Sequence, residues 1–465
     1  MAKQDRAGRI RAHFSQTFLK EYVTMSGIFK AYDIRGIYPE QIDADLAEKI
    51  GRAFVVFTGA KKIVVGRDMR PHSEPLFEGL TRGIMKQGAD VIDIGLCSTP
   101  MSYHANGFLG ADGSVMITAS HNPGEWNGFK LCKAQAVPIS GDTGIADIQM
   151  LVEANSFPAP DKRGSISKFD IAPEYTRFLR SYAKMDRKLK VVVDYANAMG
   201  LYEFAGIRDF FEVVPLYDTL DGTFPNHLAN PLQLNTLDAI RKKVVDVGAD
   251  FGAAFDGDAD RCGFIDDKGE IIPMDLFTAL IAMDILGEPG CGSATILYDL
   301  RSSWAVREAI RDHGGKPSMS RVGHAFIKNQ MRKENAVMAG ELSGHYYFRE
   351  NYVAESQGLA IIKLANLICK SGKRVSELVK PLKKYFQSGE INSKVADVKS
   401  ILDKIRVKYA DGRMFELDGI SVEYSDWWFN LRASNTEPLL RLIVEAKDKA
   451  TMEAKRDEIL AVIRS

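Results

Sequence analysis

The chain has 465 residues, 45% of them hydrophobic and 26% charged, which is the composition of an ordinary globular protein with roughly three or four domains. Lysine plus arginine and aspartate plus glutamate each number 61, and this zero net charge argues against nucleic acid or a membrane surface as a partner bound through bulk charge. The five cysteines are scattered and form no CxxC pair, which argues against a structural zinc site and favours the reducing cytoplasm. No apolar run approaches the length of a membrane span.

The first 24 residues form a basic segment without the apolar core of a secretory signal. Two acidic residues in this segment, Asp5 and Glu21, argue against a transit peptide. We predict a dispensable helical extension, with Met25 as an alternative start of translation, and we assign this segment no function.

Strands alternate with amphipathic helices through most of the chain, which predicts α/β domains with parallel strands and right-handed crossovers. In the first unit, residues 62–66 and 90–95 are predicted strands. The helix between them places Leu76, Leu80 and Ile84 on one face, as packing against a sheet requires.

The alternation of strands and helices restarts twice, which predicts three similar mixed-sheet α/β domains at residues 25–165, 166–270 and 271–384. In the second unit a helix is predicted at residues 201–211. In the third unit His324 opens a helix, as either a cap residue or a ligand. Polar segments follow the strands at their C-terminal ends, where open α/β sheets bind their ligands.

The last segment, residues 385–465, has a different pattern. Asp418-Gly419 is a hairpin-turn signal between two strand-like runs, and residues 427–431 and 439–446 are two further strands. A final helix completes the segment. We therefore predict a C-terminal α+β domain with an antiparallel sheet.

The apolar run that starts at Gly113 predicts a buried strand, after which Asn122-Pro123 turns the chain sharply. Ser120 is left at the mouth of this turn, where its hydroxyl can face a cleft. A serine hydroxyl is a poor nucleophile unless a base, a metal or an attached phosphoryl group changes its chemistry. An ordinary surface turn is the alternative interpretation of this segment taken alone.

Three carboxylates, Asp256, Asp258 and Asp260, occupy alternate positions directly after a predicted strand, so they can converge on one hard cation. The segment is not an EF-hand loop, because Arg261 stands where that loop needs glycine. Three like charges this close repel one another without a counter-ion. A metal site and a solvated acidic turn both remain open from this segment alone.

Two further loops carry dense polar groups. Residues 339–345 follow a strand end, and Glu341, Ser343 and His345 in this loop can bond hydroxyl groups and supply a base. Residues 432–438 interrupt two strands with a guanidinium, two hydroxyls and an amide, which together can form a phosphate cradle. Each loop taken alone is also compatible with an ordinary polar turn.

Together these four segments closely resemble the α-D-phosphohexomutases, specifically the phosphomannomutase/phosphoglucomutase branch. They occur in the family's order, with one in each predicted domain. The matching segments are residues 118–123, 256–261, 340–345 and 432–436, with further matches at 31–36 and 127–130. The resemblance covers about residues 25–465 and implies four domains around a central cleft.

The resemblance implies that Ser120 rests as a phosphoserine. It also implies that Asp256, Asp258 and Asp260 hold one Mg²⁺ ion per chain, with an oxygen of the phosphoserine completing the site. The sugar hydroxyls are then read by Glu341, Ser343 and His345. The phosphate that does not react is held by Arg432, Ser434, Asn435 and Thr436. The positions that line the cleft, hold phosphate or assist proton transfer are Tyr32, Arg35, Lys130, Arg261 and His324.

The reaction that the resemblance implies moves a phosphate between positions 6 and 1 of a hexose. The phosphoserine gives its phosphoryl group to the sugar, the resulting 1,6-bisphosphate turns end over end, and the serine takes back the other phosphoryl group. Sugar phosphates are thus the expected partners and a hexose 1,6-bisphosphate the expected activator, while the oligomeric state stays open. His345 is the expected proton carrier, with Lys130 as the alternative if neighbouring arginines depress its pKa.

The sugar is expected to be mannose, glucose or both. The phosphoglucosamine branch typically has glycine, glutamine and glycine where this chain has Ala259, Leu342 and Asn435. A phosphoglucosamine mutase is therefore the alternative within the family. A metal-dependent phosphatase that releases the phosphoryl group to water and a non-catalytic sugar-phosphate-binding protein are the alternatives outside it.

Overall fold

The structure is a computed structural model, and it describes residues 27–433 and 439–464. The extension predicted at residues 1–24 lies outside the described residues. Within the described part of the chain, helices are too short or too polar to cross a bilayer. Four sheets follow one another along the chain, and we name them sheets A to D.

Sheet A combines parallel strands with antiparallel edge strands, and four helices accompany it. Its strands are β1 Ile34–Ile37, β2 Lys62–Arg67, β3 Asp90–Leu96, β4 Gly113–Ile117, β5 Trp126–Lys133, β6 Val137–Pro138 and β7 Ile166–Lys168. Its helices are α1 Ala44–Thr58, α2 Ser73–Lys86, α3 Thr99–Phe108 and α4 Ile145–Ala154. The strand order is β1-β5-β4-β2-β3-β7, in which β5 is antiparallel to β4 and β4 is parallel to β2.

Sheet B repeats this arrangement with five strands. They are β8 Leu189–Asp194, β9 Phe211–Leu216, β10 Phe251–Phe255, β11 Cys262–Ile265 and β12 Ile271–Ile272, in the order β12-β11-β10-β8-β9. The helices are α5 Ala172–Arg180, α6 Gly200–Ala205 and α7 Asp238–Val247. The helix predicted at residues 201–211 is wrong in its second half. It ends before Gly206, which approaches Thr176 so closely that a β-carbon there would lie 2.5 Å from the threonine hydroxyl.

Sheet C has the same order as sheet B. Its strands are β13 Thr295–Asp299, β14 Lys316–Ser320, β15 Met338–Gly340, β16 Tyr346–Phe348 and β17 Ala354–Glu355. Its helices are α8 Met274–Leu286, α9 Trp304–Asp312, α10 His324–Glu334, α11 Gln357–Ser371 and α12 Val375–Val379. Sheets A to C therefore share one pattern, in which three parallel strands are followed by an antiparallel return strand.

Sheet D is entirely antiparallel. Its strands are β18 Phe386–Gln387, β19 Ile391–Lys394, β20 Arg413–Phe415, β21 Ile420–Glu423, β22 Trp427–Ala433 and β23 Leu439–Ala446. Its helices are α13 Val398–Lys408 and α14 Lys449–Ile463. Gly419 adopts φ +69° at the predicted turn between β20 and β21. The predicted class, three mixed-sheet α/β domains and an antiparallel α+β domain, is confirmed, whereas the exact domain boundaries stay predictions.

The cores divide the molecule unequally. One continuous apolar cluster runs from sheet A through sheets B and C, and it includes Met101, Phe255 and Phe277. Sheet D has its own core, built around Phe429 and Leu442. The first three units therefore pack as one body, and the last unit is held to them by a separate and smaller contact.

Candidate functional site

The three loops that carry the polar motifs occupy equivalent positions in sheets A, B and C. Each lies between the last parallel strand and its antiparallel return strand, namely between β4 and β5, between β10 and β11, and between β15 and β16. The shared pattern therefore brings these three loops to one junction. We name them the serine loop, which contains Ser120, the acidic loop, which contains Asp256, Asp258 and Asp260, and the sugar-loop motif, residues 341–345, which contains the predicted sugar-binding residues.

Ser120 directly faces the acidic loop. Its hydroxyl donates a hydrogen bond to Asp256 Oδ2 at 2.8 Å and lies 3.1 Å from His121 Nδ1. The serine is buried and adopts φ +51°, a left-handed backbone conformation that costs a non-glycine residue free energy. A backbone held in this conformation against its own preference must be fixed by the surrounding contacts.

The acidic loop brings its three carboxylates together. Asp256, Asp258 and Asp260 are buried, and one oxygen of each lies within 4.8 Å of the others. Oδ1 of Asp258 is buried and has no hydrogen-bond partner within the described residues, and the buried Oδ1 of Asp260 lies 3.4 Å from His345 Nε2. Burial and the two neighbouring carboxylates raise the pKa of Asp256 well above its usual range. Buried carboxylate oxygens with free lone pairs are the ligands that a hard cation requires, so the cluster can bind a divalent metal.

Lys130, on the return strand β5, lies against two of these carboxylates. Its Nζ is 2.5 Å from Asp258 Oδ2 and 2.5 Å from Asp260 Oδ2. Burial alone would lower the pKa of Lys130, but the two carboxylates outweigh it and raise that pKa above its usual value. The alternative of Lys130 as a base required neighbouring arginines to depress its pKa. This requirement is not met, because the strongest neighbours of Lys130 are carboxylates and not arginines.

Two arginines flank Ser120. Arg35 Nη1 donates to the Ala119 carbonyl at 3.1 Å and to Asn122 Oδ1 at 2.6 Å, and so it holds the serine loop from one side. Arg261 Nε lies 4.0 Å from Asp256 Oδ2 and holds the acidic loop from the other. Arg35 therefore lies against the serine loop and Arg261 lies near the acidic loop, and each carries a positive charge.

The loop between β15 and β16 forms a compact network. Glu341 Oε1 accepts a hydrogen bond from the Gly323 amide at 3.0 Å, and Oε2 accepts one from the Tyr347 hydroxyl. His345 Nδ1 lies 2.8 Å from Ser343 Oγ and 3.2 Å from Glu341 Oε2. These contacts fix the imidazole and leave its other nitrogen to face the acidic loop.

That second nitrogen joins the loop between β15 and β16 to the acidic loop. His345 Nε2 lies 3.2 Å from Arg261 Nε and 3.4 Å from Asp260 Oδ1. Burial alone would lower the pKa of His345, but the carboxylates of Asp260 and Glu341 raise it to about 9. The two carboxylates thus favour the charged imidazole, while Arg261, whose Nε donates toward the same Nε2, opposes it.

Tyr32 and His324 meet between sheets A and C. Their rings pack edge to face with centroids 5.5 Å apart, and the Tyr32 hydroxyl donates to the Val322 carbonyl at 3.3 Å. His324 Nδ1 is buried and has no hydrogen-bond partner among the described residues, so this histidine does not cap its helix. Burial holds the pKa of His324 well below its usual value, so the ring is neutral.

Arg432 lies at the end of β22 and pairs with an internal carboxylate. Its Nη2 is 2.7 Å from Glu390 Oε2, which also lies 3.4 Å from Arg301 Nη1. Arg301 in turn pairs with Asp299, and Asp299 Oδ2 accepts a hydrogen bond from the Leu342 amide at 2.8 Å. A continuous chain of ion pairs therefore joins Arg432 to the loop that carries His345. The other residues predicted for this clamp, Ser434, Asn435 and Thr436, lie outside the described residues.

Several contacts of the site escaped the sequence analysis. The Thr99 hydroxyl donates to Asp258 Oδ2 at 2.6 Å, and the Arg70 guanidinium lies behind the serine loop. Asp299 and Asp68 are polar residues at the C-terminal ends of strands β13 and β2. The rule that ligand sites lie at this edge of a sheet could have singled out both. Thr99 carried no such signal, because it stands inside an ordinary helix start.

Models of one protein family match nearly all of the described chain. Domain I of the phosphoglucomutase/phosphomannomutase family matches residues 26–159, domain II residues 173–269, domain III residues 273–385, and the C-terminal domain residues 365–462. Each of the four models thus matches most of one sheet together with the motif that it carries.

Individual proteins of this family are similar over almost their whole length. A phosphomannomutase of Escherichia coli is 41% identical over 95% of this chain and 100% of its own length. A phosphomannomutase of Methanocaldococcus jannaschii is also 41% identical, over 94% of this chain and 97% of its own. The solved structure of a phosphoglucomutase/phosphomannomutase family protein from Burkholderia thailandensis superposes with a TM-score of 0.86 at 32% identity, covering 94% of this chain and 97% of that one.

Proposed function

The chain belongs to the phosphoglucomutase/phosphomannomutase family of α-D-phosphohexomutases, and from this premise we propose that it interconverts the 6-phosphate and 1-phosphate of mannose or glucose. As a phosphohexomutase it is an isomerase that transfers a phosphoryl group within one substrate. The observation that supports a mechanism through a phosphorylated Ser120 is the 2.8 Å hydrogen bond from Ser120 Oγ to Asp256. This bond places the serine hydroxyl against the acidic cluster.

Ser120 is proposed as the carrier of the phosphoryl group. Its hydroxyl donates to Asp256 in the acidic loop, while Arg35 contacts the serine loop and Arg261 lies 4.0 Å from Asp256. Phosphoryl transfer depends on positioning and on compensation of the negative charge, and little covalent chemistry is left for the protein. The two guanidinium groups supply fixed positive charge without needing to reorganise during the reaction.

Asp256, Asp258 and Asp260 are proposed to hold one Mg²⁺ ion, and the buried Asp258 Oδ1, which has no hydrogen-bond partner among the described residues, supports this fit. Held by these carboxylates, Mg²⁺ would supply positive charge that offsets the negative charge of the transferred phosphoryl group. Lys130 holds two of the three carboxylates in place from behind, and Thr99 orients Asp258.

His345 is proposed as the proton carrier for the sugar hydroxyl. Ser343 and Glu341 fix its Nδ1 side, so its Nε2 side is presented toward Arg261 and Asp260 at the same junction as Ser120. A positioned acid or base of this kind contributes about 10²–10⁴-fold to a transfer rate. Tyr32 and His324 are proposed to line the same space.

A mutase needs a second phosphate site, because the bisphosphate intermediate presents its two ends in turn. We propose Arg432, Ser434, Asn435 and Thr436 for this site, supported by the ion-pair chain from Arg432 through Glu390 and Arg301 to the sugar-loop motif. A hexose 1,6-bisphosphate would then serve as the activator that restores phosphorylated Ser120.

The described cysteines, Cys97 among them, are free thiols, which supports the proposed cytoplasmic location.

The test is phosphoryl labelling of Ser120. Incubation with glucose 1,6-bisphosphate labelled in its phosphates should leave one labelled group on the wild-type chain, seen by intact-mass measurement and assigned to Ser120 by peptide mapping. The variant Ser120→Ala should take no label and lose mutase turnover. An unlabelled wild-type chain would contradict the proposal. Free phosphate released as fast as substrate disappears would identify a phosphatase instead.

The sugar is tested separately. Turnover is compared on mannose 1-phosphate, glucose 1-phosphate and glucosamine 1-phosphate with the same enzyme. Leu342 and Ala259 depart from the phosphoglucosamine pattern, and Ala259 adopts φ +60° where that branch has glycine. We therefore expect mannose and glucose to be preferred, and a clear preference for glucosamine 1-phosphate would contradict this.

A further inference from the structure

Arg70 lies behind the serine loop with its guanidinium completely engaged. Nη2 donates to the carbonyls of Ser120 and Asn122 at 2.8 and 2.7 Å, and Nη1 donates to those of Pro123 and Trp126 at 2.6 and 2.9 Å. An arginine side chain has five N–H groups, and here four of them bind the main chain of a single turn.

The fifth N–H group fixes the guanidinium itself. Nε donates to Asp68 Oδ2 at 3.2 Å, and Asp68 Oδ1 accepts hydrogen bonds from the Arg70 amide at 3.1 Å and from Ser73 Oγ at 2.6 Å. The Arg70 side chain is buried and all its donors are used. Arg70 therefore has no donor left for a phosphate.

The second α/β unit covers Arg70 from the other side. The Phe224 ring lies 5.1 Å from the guanidinium carbon, and a β-carbon on Gly222 would lie 2.7 Å from Arg70 Cα. The Ser120 carbonyl that accepts from Arg70 also contacts Gly257, where a β-carbon would lie 2.2 Å from that oxygen. One carbonyl is thus held between Arg70 and the loop of the acidic cluster.

We propose that Arg70 is a positioning residue for phosphoryl transfer, which sets the backbone of the serine loop so that the Ser120 hydroxyl points at the acidic cluster. Four carbonyls brought together on one side of a turn repel one another unless a cation lies among them. A residue with φ +51° needs such an external constraint. The proposal rests on the proposed role of Ser120, and Arg70 itself touches no reacting atom.

The decisive variant is Arg70→Lys, which keeps the charge but replaces a planar fork by one ammonium group that cannot bind four carbonyls at once. The matched control is Arg67→Lys. Arg67 is the last residue of β2, three positions before Arg70. Its guanidinium also forms ion pairs, with Asp93 at 2.8 Å and with Glu74 at 2.7 Å, but it does not bind the serine loop. The Arg70 side chain is fully buried with all five donors engaged, whereas that of Arg67 is 14% exposed, so Arg70→Lys should lose more thermal stability, and labelling is compared at a temperature where both variants are folded.

In Arg70→Lys we expect kcat and the initial rate of Ser120 labelling by glucose 1,6-bisphosphate to fall together by about 10²-fold, the cost of a misplaced reacting group. KM should change by less than about threefold, because the sugar contacts are untouched. Arg67→Lys should keep the wild-type labelling rate. Labelling of Arg70→Lys at the wild-type rate, in a folded protein, would overturn the inference.

A second variant keeps the inference testable if Arg70→Lys does not fold. Asp68→Asn replaces the carboxylate that accepts from Nε by an amide with only one acceptor oxygen, so one of the bonds that fix the guanidinium is lost and labelling should slow in the same direction by a smaller factor. Unchanged labelling in that variant would overturn the inference in its turn. If the wild-type chain itself takes no label, the proposed role of Ser120 fails, and this outcome is distinct from failure of Arg70 to position the loop.

Discussion

Glu203 is a single carboxylate that joins the first three units. It is fully buried, and it accepts hydrogen bonds from Ser98 Oγ at 2.6 Å, Tyr175 hydroxyl at 2.8 Å and the Gly358 amide at 2.8 Å. These donors belong to helices or helix starts beside sheets A, B and C respectively. Glu203 therefore ties helices of the first three units together.

The charge on Glu203 predicts a pH-dependent stability. Burial raises the pKa of Glu203 to about 7, above its ordinary value near 4.5. A raised pKa in the folded state means that the contribution to stability is complete below about pH 4.5 and is lost as pH rises through about 7. The shift corresponds to about 3 kcal/mol at most.

The variant Glu203→Gln tests this, because a glutamine can accept from Tyr175 and Gly358 through its oxygen and donate to Ser98 through its amide. Urea unfolding at pH 5 and pH 8 should show the wild-type chain losing more free energy of unfolding between these pH values than the variant does. Equal losses in both proteins would show that Glu203 is ionised throughout this range.

At the scale of secondary structure, the site depends on how closely two hairpin loops approach. Gly257 follows the strand of the acidic loop, and a β-carbon there would lie 2.2 Å from the Ser120 carbonyl oxygen. Because both partners are backbone, neither can move aside without shifting its whole loop. Glycine is required here for close approach.

Gly257→Ala should therefore push the acidic loop away from Ser120. We expect kcat to fall by about 10²-fold, as for a displacement near 1 Å, while the free energy of unfolding falls by only about 1–3 kcal/mol. Gly292→Ala is the control, since the nearest atom to its new β-carbon lies 3.8 Å away. Steady-state kinetics and urea unfolding of the two variants measure both effects. Wild-type kcat in Gly257→Ala would contradict the close approach.

Strand patterns and short motifs carried most of what the sequence could predict. The buried run before Ser120 and the Asp418-Gly419 turn are local signals, and the structure confirms both elements. Helix 201–211 failed because Gly206 ends it through a contact with another helix, which no local pattern reports. The pKa of Lys130 failed for a similar reason, since its carboxylate neighbours are more than one hundred residues away in the chain.

At the scale of the whole molecule, the last unit is attached by a contact distinct from the main core. Trp428 on β22 packs with Trp304 of the third unit and with Ile443, and its Nε1 donates to Glu445 at 2.8 Å. The Trp304 amide also donates to Glu445 at 2.8 Å. This contact, which we name the apolar seat, fixes the position of β22 relative to the sugar-loop motif. It therefore also fixes the position of Arg432, which lies at the end of β22.

Two neighbouring tryptophans on β22, Trp427 and Trp428, allow the attachment of the last unit to be tested separately from the folding of that unit. Because side chains alternate along a strand, Trp427 points into the core of sheet D beside Phe429, while Trp428 points toward the third unit. Truncating a buried tryptophan costs about 3–5 kcal/mol in either place. The two losses should nevertheless have different consequences.

Trp428→Ala should leave sheet D folded but loosen its seat. In calorimetry the last unit should unfold in its own transition below that of the first three units, and KM for the sugar phosphate should rise by about tenfold for each 1.4 kcal/mol spent on reseating. Trp427→Ala should instead unfold the last unit itself, with loss of the antiparallel-sheet signal in circular dichroism at temperatures where the first three units remain folded. A single cooperative transition in Trp428→Ala, with unchanged KM, would show that sheet D is held to the third unit by the ion pairs around Glu390 and not by this apolar seat.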